Sequence, residues 1–282
     1  MLKWSDGYVS ANGLKLHYYR TGGNKPQVVF NHGAGDDGLC WTRIVKEFEN
    51  DYDIIMPDAR GHGKSGTGKK DYSSKKRVED LAGLIQALKL DRPIVGGHSM
   101  GADTSMRLAA KYPELVRGVF LEDPPIILPG ETMGTPGQTM KSEDIGKMMR
   151  RFMLMFKLMP RFIGMRMARK MSPTYPEDEI NPWLDSKRRV SFEFLNSMNN
   201  MADMLSADPF EAIKRIQVPA ILFIGDREKM SIVSREAAQK AAEANVKLRV
   251  VHLEGASHDI RRTRFDGYIP ALKSFLEETY RS

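Results

Sequence analysis

The sequence predicts an α/β fold: a mostly parallel sheet with helices on both faces, interrupted once by a helical insertion. Two observations carry this. Short apolar strands alternate with amphipathic helices through the first half and again towards the end, a pattern that buries a parallel sheet on both sides. From Pro124 to about Pro209 strand signals are absent, while prolines and helical runs continue. The organisation that follows is a core of residues 1–123 and 210–282 with a helical cap at 124–209.

Each element has a local reason. Tyr8 to Tyr19 alternates around Asn12-Gly13, the strongest short hairpin signal, because both central turn residues need positive φ. Gln27–Asn31 is a β-branched and aromatic run that ends in a glycine-rich loop, His32 to Gly38. Strands follow at Asp53–Pro57, Pro93–Gly97 and Arg117–Leu121, with helices at Leu39–Phe48, Val78–Leu88 and Ala102–Lys111. In the second helix Val78, Leu81, Ala82, Ile85 and Leu88 form one apolar stripe. After the insertion, Pro219–Ile224 and Lys247–Leu253 read as strands, Ser234–Ala244 and Phe265–Glu278 as helices.

Composition narrows the class. With 282 residues, 41% hydrophobic and 28% charged, the chain can bury a full core and is not a disordered protein. No apolar run approaches the ~20 residues that span a bilayer, and the polar start does not read as an export signal, so a soluble, cytoplasmic protein is expected. The single cysteine, Cys40, suits a reducing compartment. A net charge of +7 raises nucleic acid as a partner, but the basic residues are not interleaved with stacking aromatics, and that reading stands lowest.

The segment with most chemical content is Gly97-His98-Ser99-Met100-Gly101, between a strand and a helix. A G-x-S-x-G turn in that context lifts its serine above the sheet, and the helix N-terminus favours developing negative charge. Ser99 is therefore the expected nucleophile. A serine needs a base, and His258, between the last strand and the last helix, fits; His252 reads as packing or facing solvent, His17 as a hairpin surface residue. Asp226, which follows Gly225 after the Pro219–Ile224 strand, is the first choice to orient His258, ahead of Glu228. Glu122 and Asp123 also end a strand near the site and could supply the acid, but they read first as cap or loop carboxylates before Pro124-Pro125. The expected oxyanion donors are the amides of Met100 and Ala34.

Gly61-His62-Gly63-Lys64-Ser65-Gly66 matches a dinucleotide fingerprint, yet the polar run from Thr67 to Ser74 opens no helix to hold a pyrophosphate. The histidines are scattered and the cysteine stands alone, so neither cofactor nor metal is expected.

At this point the chain closely resembles the α/β-hydrolase superfamily. The matching pieces, in family order, are Asn31-His32-Gly33, Asp58 to Ser65, Gly97 to Gly101, Gly225-Asp226 and Gly255 to His258. The resemblance covers nearly everything except the insertion. It implies an eight-stranded sheet, a cofactor-free triad and a pocket between core and cap, and it is strongest to capped esterases, lactonases and cofactor-free haloperoxidase-like proteins. Many relatives take the acid three residues after the glycine, which would select Glu228, and some dehalogenases take it from the position of Glu122.

The insertion also holds most of the 18 methionines: between Lys147 and Met171, methionine alternates with lysine and arginine. Methionine adapts to irregular apolar shapes, so a cap of this kind could accept a hydrophobic substrate; the plainer reading is a core-facing stripe behind a solvated basic face. A membrane surface is a further partner, disfavoured by the break at Pro160. The expected activity is a serine hydrolase acting on a carboxylic ester or lactone of a small, largely apolar molecule. Carbon–carbon bond hydrolysis or perhydrolysis on the same triad, and a ligand receptor retaining it, are the alternatives.

Overall fold

The computed structural model describes residues 4–68, 71–131, 142–173, 175–200 and 208–281. Parts of the expected insertion, at 132–141, 174 and 201–207, lie outside the described residues. Eight strands form one sheet: β1 (Ser5–Ala11), β2 (Leu14–Arg20), β3 (Gln27–Asn31), β4 (Asp53–Pro57), β5 (Ile94–His98), β6 (Gly118–Glu122), β7 (Ala220–Ile224) and β8 (Leu248–His252). Their order is β1-β2-β4-β3-β5-β6-β7-β8. β2 runs antiparallel to both β1 and β4, and every other pairing is parallel. The β1–β2 hairpin turns on Asn12 and Gly13, with φ of 50° and 70° as such a turn requires.

The parallel strands β3 to β7 are buried on both faces, while β8 at the edge is only partly covered, and their alternation decides which residue serves which face. Val29, Val95, Val119 and Leu222 meet α2 (Ser74–Ala87), α3 (Met100–Lys111) and two later helices. Val28, Ile94, Phe120 and Phe223 meet α1 (Thr42–Phe48) and the C-terminal helix. The inserted helices α4 (Ser142–Leu158), α5 (Arg161–Met171), α6 (Glu177–Arg189) and α7 (Phe192–Ser197) follow β6. The core resumes with α8 (Pro209–Arg215), α9 (Arg235–Ala244), the short α10 (Ile260–Thr263) and α11 (Phe265–Arg281). No described helix is long and apolar enough to cross a membrane.

Observed elements match the expected ones to within a few residues, but His17 is misjudged. It is fully buried, its Nδ1 2.8 Å from Asp58 and its Nε2 3.0 Å from Asp6. Asp58 also accepts the amides of Gly38 and Lys64, so Gly61 to Gly66 wraps a buried carboxylate instead of opening a helix.

Candidate active site

The parallel strands end at one edge, where an α/β sheet gathers its functional groups. Ser99 stands one residue past β5 and Asp123 one residue past β6. The register pairs His98 with Glu122, so Ser99 and Asp123 sit level on neighbouring strands. Ser99 N–H donates to the Glu122 carbonyl at 2.9 Å. Its φ of 51° and ψ of −114° mark the strained turn of a nucleophile elbow. The two glycines are sterically required: a Cβ on either Gly97 or Gly101 would lie 2.2 Å from the Asn31 carbonyl oxygen.

His258 arrives at the end of β6. Its Nδ1 donates to Asp123 Oδ2 at 2.6 Å. Asp123 is fully buried and also accepts from Ser231 Oγ (2.8 Å), Ile232 N (2.7 Å) and Val233 N (3.0 Å). Four donors on two oxygens fix the orientation of this carboxylate. Burial alone would depress the His258 pKa, but the hydrogen bond and charge of Asp123, with Asp259 and Glu122, raise it above the ordinary imidazole value.

The other expected acids are elsewhere. Asp226 accepts from His252 Nε2 and from Gly255 N, both at 2.7 Å, and its own amide donates to the Ala256 carbonyl at 2.9 Å. It props the loop that carries His258 from below. That loop crosses over the end of β7, so closely that a Cβ on Gly225 would stand 2.6 Å from the Ala256 oxygen, and the imidazole therefore comes down one strand further on. Glu228 is exposed in the turn Arg227–Lys229. Glu122 is buried against Arg261, which reaches it with Nη1 at 3.1 Å and with its backbone N at 2.9 Å. Burial outweighs Arg261 and pushes the Glu122 pKa up to about 7.

His98 is the residue that the sequence reading passed over. Its Nε2 donates to the His258 carbonyl at 3.0 Å, and the two rings pack with centroids 4.4 Å apart. Burial, then the charges of His258 and Arg261, hold its pKa well below normal, so it stays neutral and steadies the His258 loop.

The loop expected to supply an oxyanion amide lies against the elbow, since a Cβ at Gly33 would be 3.5 Å from Ser99 Cβ. Met100 opens α3, where an N–H has no partner within the helix. The Ala34 amide follows Gly33, and its neighbours are braced. Gly35 N–H donates to His62 Nε2 at 3.0 Å, and His32 Nδ1 donates to the Gly33 carbonyl at 2.8 Å. Burial, then the nearby His32, pushes the His62 pKa down to about 3, which keeps the acceptor lone pair free at all working pH. His62→Leu is therefore expected to strand a buried amide and cost about 1–3 kcal/mol, read from urea unfolding.

Above the loop the inserted helices present an apolar surface. Met153, Phe194, Leu195 and Met198 pack with Met100 and Ala34. Beside it runs a buried ionic network. Lys187 bonds Asp36, Arg189 bonds Asp37 at 2.5 Å, and Arg262 joins Glu179 and Asp259, each at 2.7 Å. Ligand atoms of Asp36, His98 and Asp259 approach within 4.8 Å of one another, a spacing that could hold a metal ion. Lys187, Arg261 and Arg262 already surround those carboxylates, so the group is an ion-pair network and a poor cation site.

A family profile for the α/β hydrolase fold matches residues 26–260. N-formylmaleamate deformylase of Pseudomonas putida is 25% identical over 282 residues, covering 96% of each chain. 2-(Acetamidomethylene)succinate hydrolase of Mesorhizobium japonicum is 26% identical, covering 92% of this chain and 90% of that protein. Among solved structures, the enol-lactonase of Burkholderia xenovorans superposes with a TM-score of 0.75 at 23% identity, over 96% of this chain and 100% of the other. With the elbow, the strand order and the His258 loop all in place, the chain belongs to the α/β-hydrolase fold family and is an α/β-hydrolase enzyme.

Proposed function

We propose that the protein is a serine hydrolase that cleaves a carboxylic ester or lactone of a small, largely apolar, uncharged molecule. The observation that carries this is the buried Asp123 bonded at 2.6 Å to His258, level with a serine held in a strained elbow. Ser99 Oγ attacks the carbonyl carbon while His258 Nε2 takes its proton. The Met100 and Ala34 amides receive the oxyanion. His258 then protonates the leaving oxygen, and a water that it deprotonates releases the acyl group from Ser99. Asp123 keeps the proton on Nδ1 and so leaves Nε2 free as the base.

The substrate's character comes from the walls. A substrate bearing carboxylates, as the name 2-(acetamidomethylene)succinate denotes for one relative, calls for an unpaired cation at the pocket. Described cations at the oxyanion loop are already held by its carboxylates: Lys187 and Arg262 reach Asp36, and Arg189 reaches Asp37. The facing surface is built from methionine, leucine and phenylalanine. The test is a fluorophosphonate label mapped by mass spectrometry, run beside a panel of neutral and carboxylate-bearing esters and lactones. An adduct on Ser99 and turnover of the neutral members are expected; an adduct elsewhere overturns the site, and preference for the carboxylates overturns the substrate class.

A further inference from the structure

Helices α4 and α5 meet at Pro160 and bury their inner sides, including Phe156, Met165 and Ala168, against Ile180, Trp183 and Leu184 of α6. The outer side of the corner is apolar too. Leu158 is 67% exposed, Phe162 76%, Ile163 42% and Met155 38%. Among the described residues nothing covers them. The same stretch, Lys147 to Met171, has eight lysines and arginines and no aspartate or glutamate. Two of these cations reach across to acids on or beside α6: Arg161 to Asp185 at 3.3 Å and Arg169 to Glu177 at 2.6 Å. Arg151, Arg166 and Lys170 are exposed and pair with no described carboxylate.

We propose that this corner docks on an anionic lipid surface, with Leu158, Phe162 and Ile163 entering the interface and the surrounding cations meeting the headgroups. Apolar side chains ringed by arginine and lysine suit such a surface, where long basic side chains lay their stems along the acyl boundary and their charges in the headgroup layer. A second copy of this chain is a poor occupant because it would set cation against cation. Pro160, the N-cap of α5 with φ −54° and ψ 138°, breaks the helical run between Leu158 and Phe162, so the two exposed side chains stand on either side of one turn. The docking is peripheral, and it is independent of the reaction assigned to Ser99.

The test is co-sedimentation of the full chain with vesicles of pure phosphatidylcholine and with vesicles containing about one-third phosphatidylglycerol, where each basic residue near the surface adds attraction. Partitioning at least about tenfold stronger on the anionic vesicles is expected. The double variant Leu158→Glu/Phe162→Glu should lose about tenfold or more of it, with unchanged circular dichroism and unchanged hydrolysis of a soluble ester. Equal binding to both vesicles, no binding of the wild type to the anionic ones, or undiminished binding of the variant overturns the proposal. A wild-type dimer that the variant converts to a monomer also overturns it, and assigns the face to a second copy.

Discussion

Asp123→Asn is expected to lower kcat about 10⁴-fold with little change in KM, while Asp226→Asn stays within about threefold of the wild type. Asp123 accepts four hydrogen bonds on two oxygens, and asparagine keeps only one of those oxygens. If the amide nitrogen turns towards His258, Nδ1 must become the acceptor and the proton moves to Nε2, where the base needs its lone pair. If it turns the other way, it meets Val233 N–H and the Ser231 hydroxyl in a buried site, so about 1–3 kcal/mol of stability goes as well. Kinetics are therefore measured well below the variant's melting temperature. The pH profile separates the two effects. Wild-type kcat/KM requires neutral His258, whose pKa is raised, so its acid limb falls above the usual imidazole value near 6.5. With the Asp123 charge gone, burial dominates and the limb moves down, so the residual activity of the variant persists to lower pH. A large loss in Asp226→Asn with Asp123→Asn near normal would return the triad to Asp226.

That contrast marks the limit of what the chain discloses before it is folded. Strand alternation, the Asn12-Gly13 turn and the glycines around Ser99 are local demands of the backbone, and each is written within a few residues. His258 is legible because the triad's chain order leaves few late histidines to choose from. The acid depends on which strand lies beside β5 and on a loop that crosses β7, and neither is a local property. One signal was present: Asp123 directly follows β6, just as Ser99 directly follows β5, and its φ of 44° is a conformation that aspartate tolerates better than most residues. His17 failed in the same way, since its alternation is that of a surface hairpin, while its partners, Asp6 and Asp58, come from three different segments counted with its own. The methionines divide by position. Met153 and Met198 pack over the oxyanion loop, Met165 fills the insertion's own core, and Met155 and Met171 are exposed, so composition alone could not assign them one role.

Arg262→Met is expected to destabilise the protein by about 3–5 kcal/mol, more than any surface ion pair would, because it strands carboxylates on three separate segments, two of them buried. The Arg262 side chain is 1% exposed. It reaches Glu179 on α6 and Asp259 beside His258, both at 2.7 Å, and Asp36 in the oxyanion loop at 3.5 Å. Burial alone would raise the pKa of Asp36, yet Lys187, Arg262 and Arg261 together hold it below the usual carboxylate range. Asp259 is depressed likewise, with Arg262 the largest of the opposing charges. After substitution Asp36 keeps Lys187 and Asp259 keeps the Tyr175 hydroxyl, but Glu179 is left worst placed, since its other oxygen already has no partner. The double variant Arg262→Met/Glu179→Met should then recover part of the loss, because an apolar pair of similar volume removes the uncompensated charge. Urea unfolding of the two variants beside the wild type measures both effects. A loss below about 1 kcal/mol for Arg262→Met, within the range of an exposed pair, would mean that apolar packing and not this network fastens the inserted helices to the catalytic edge of the sheet.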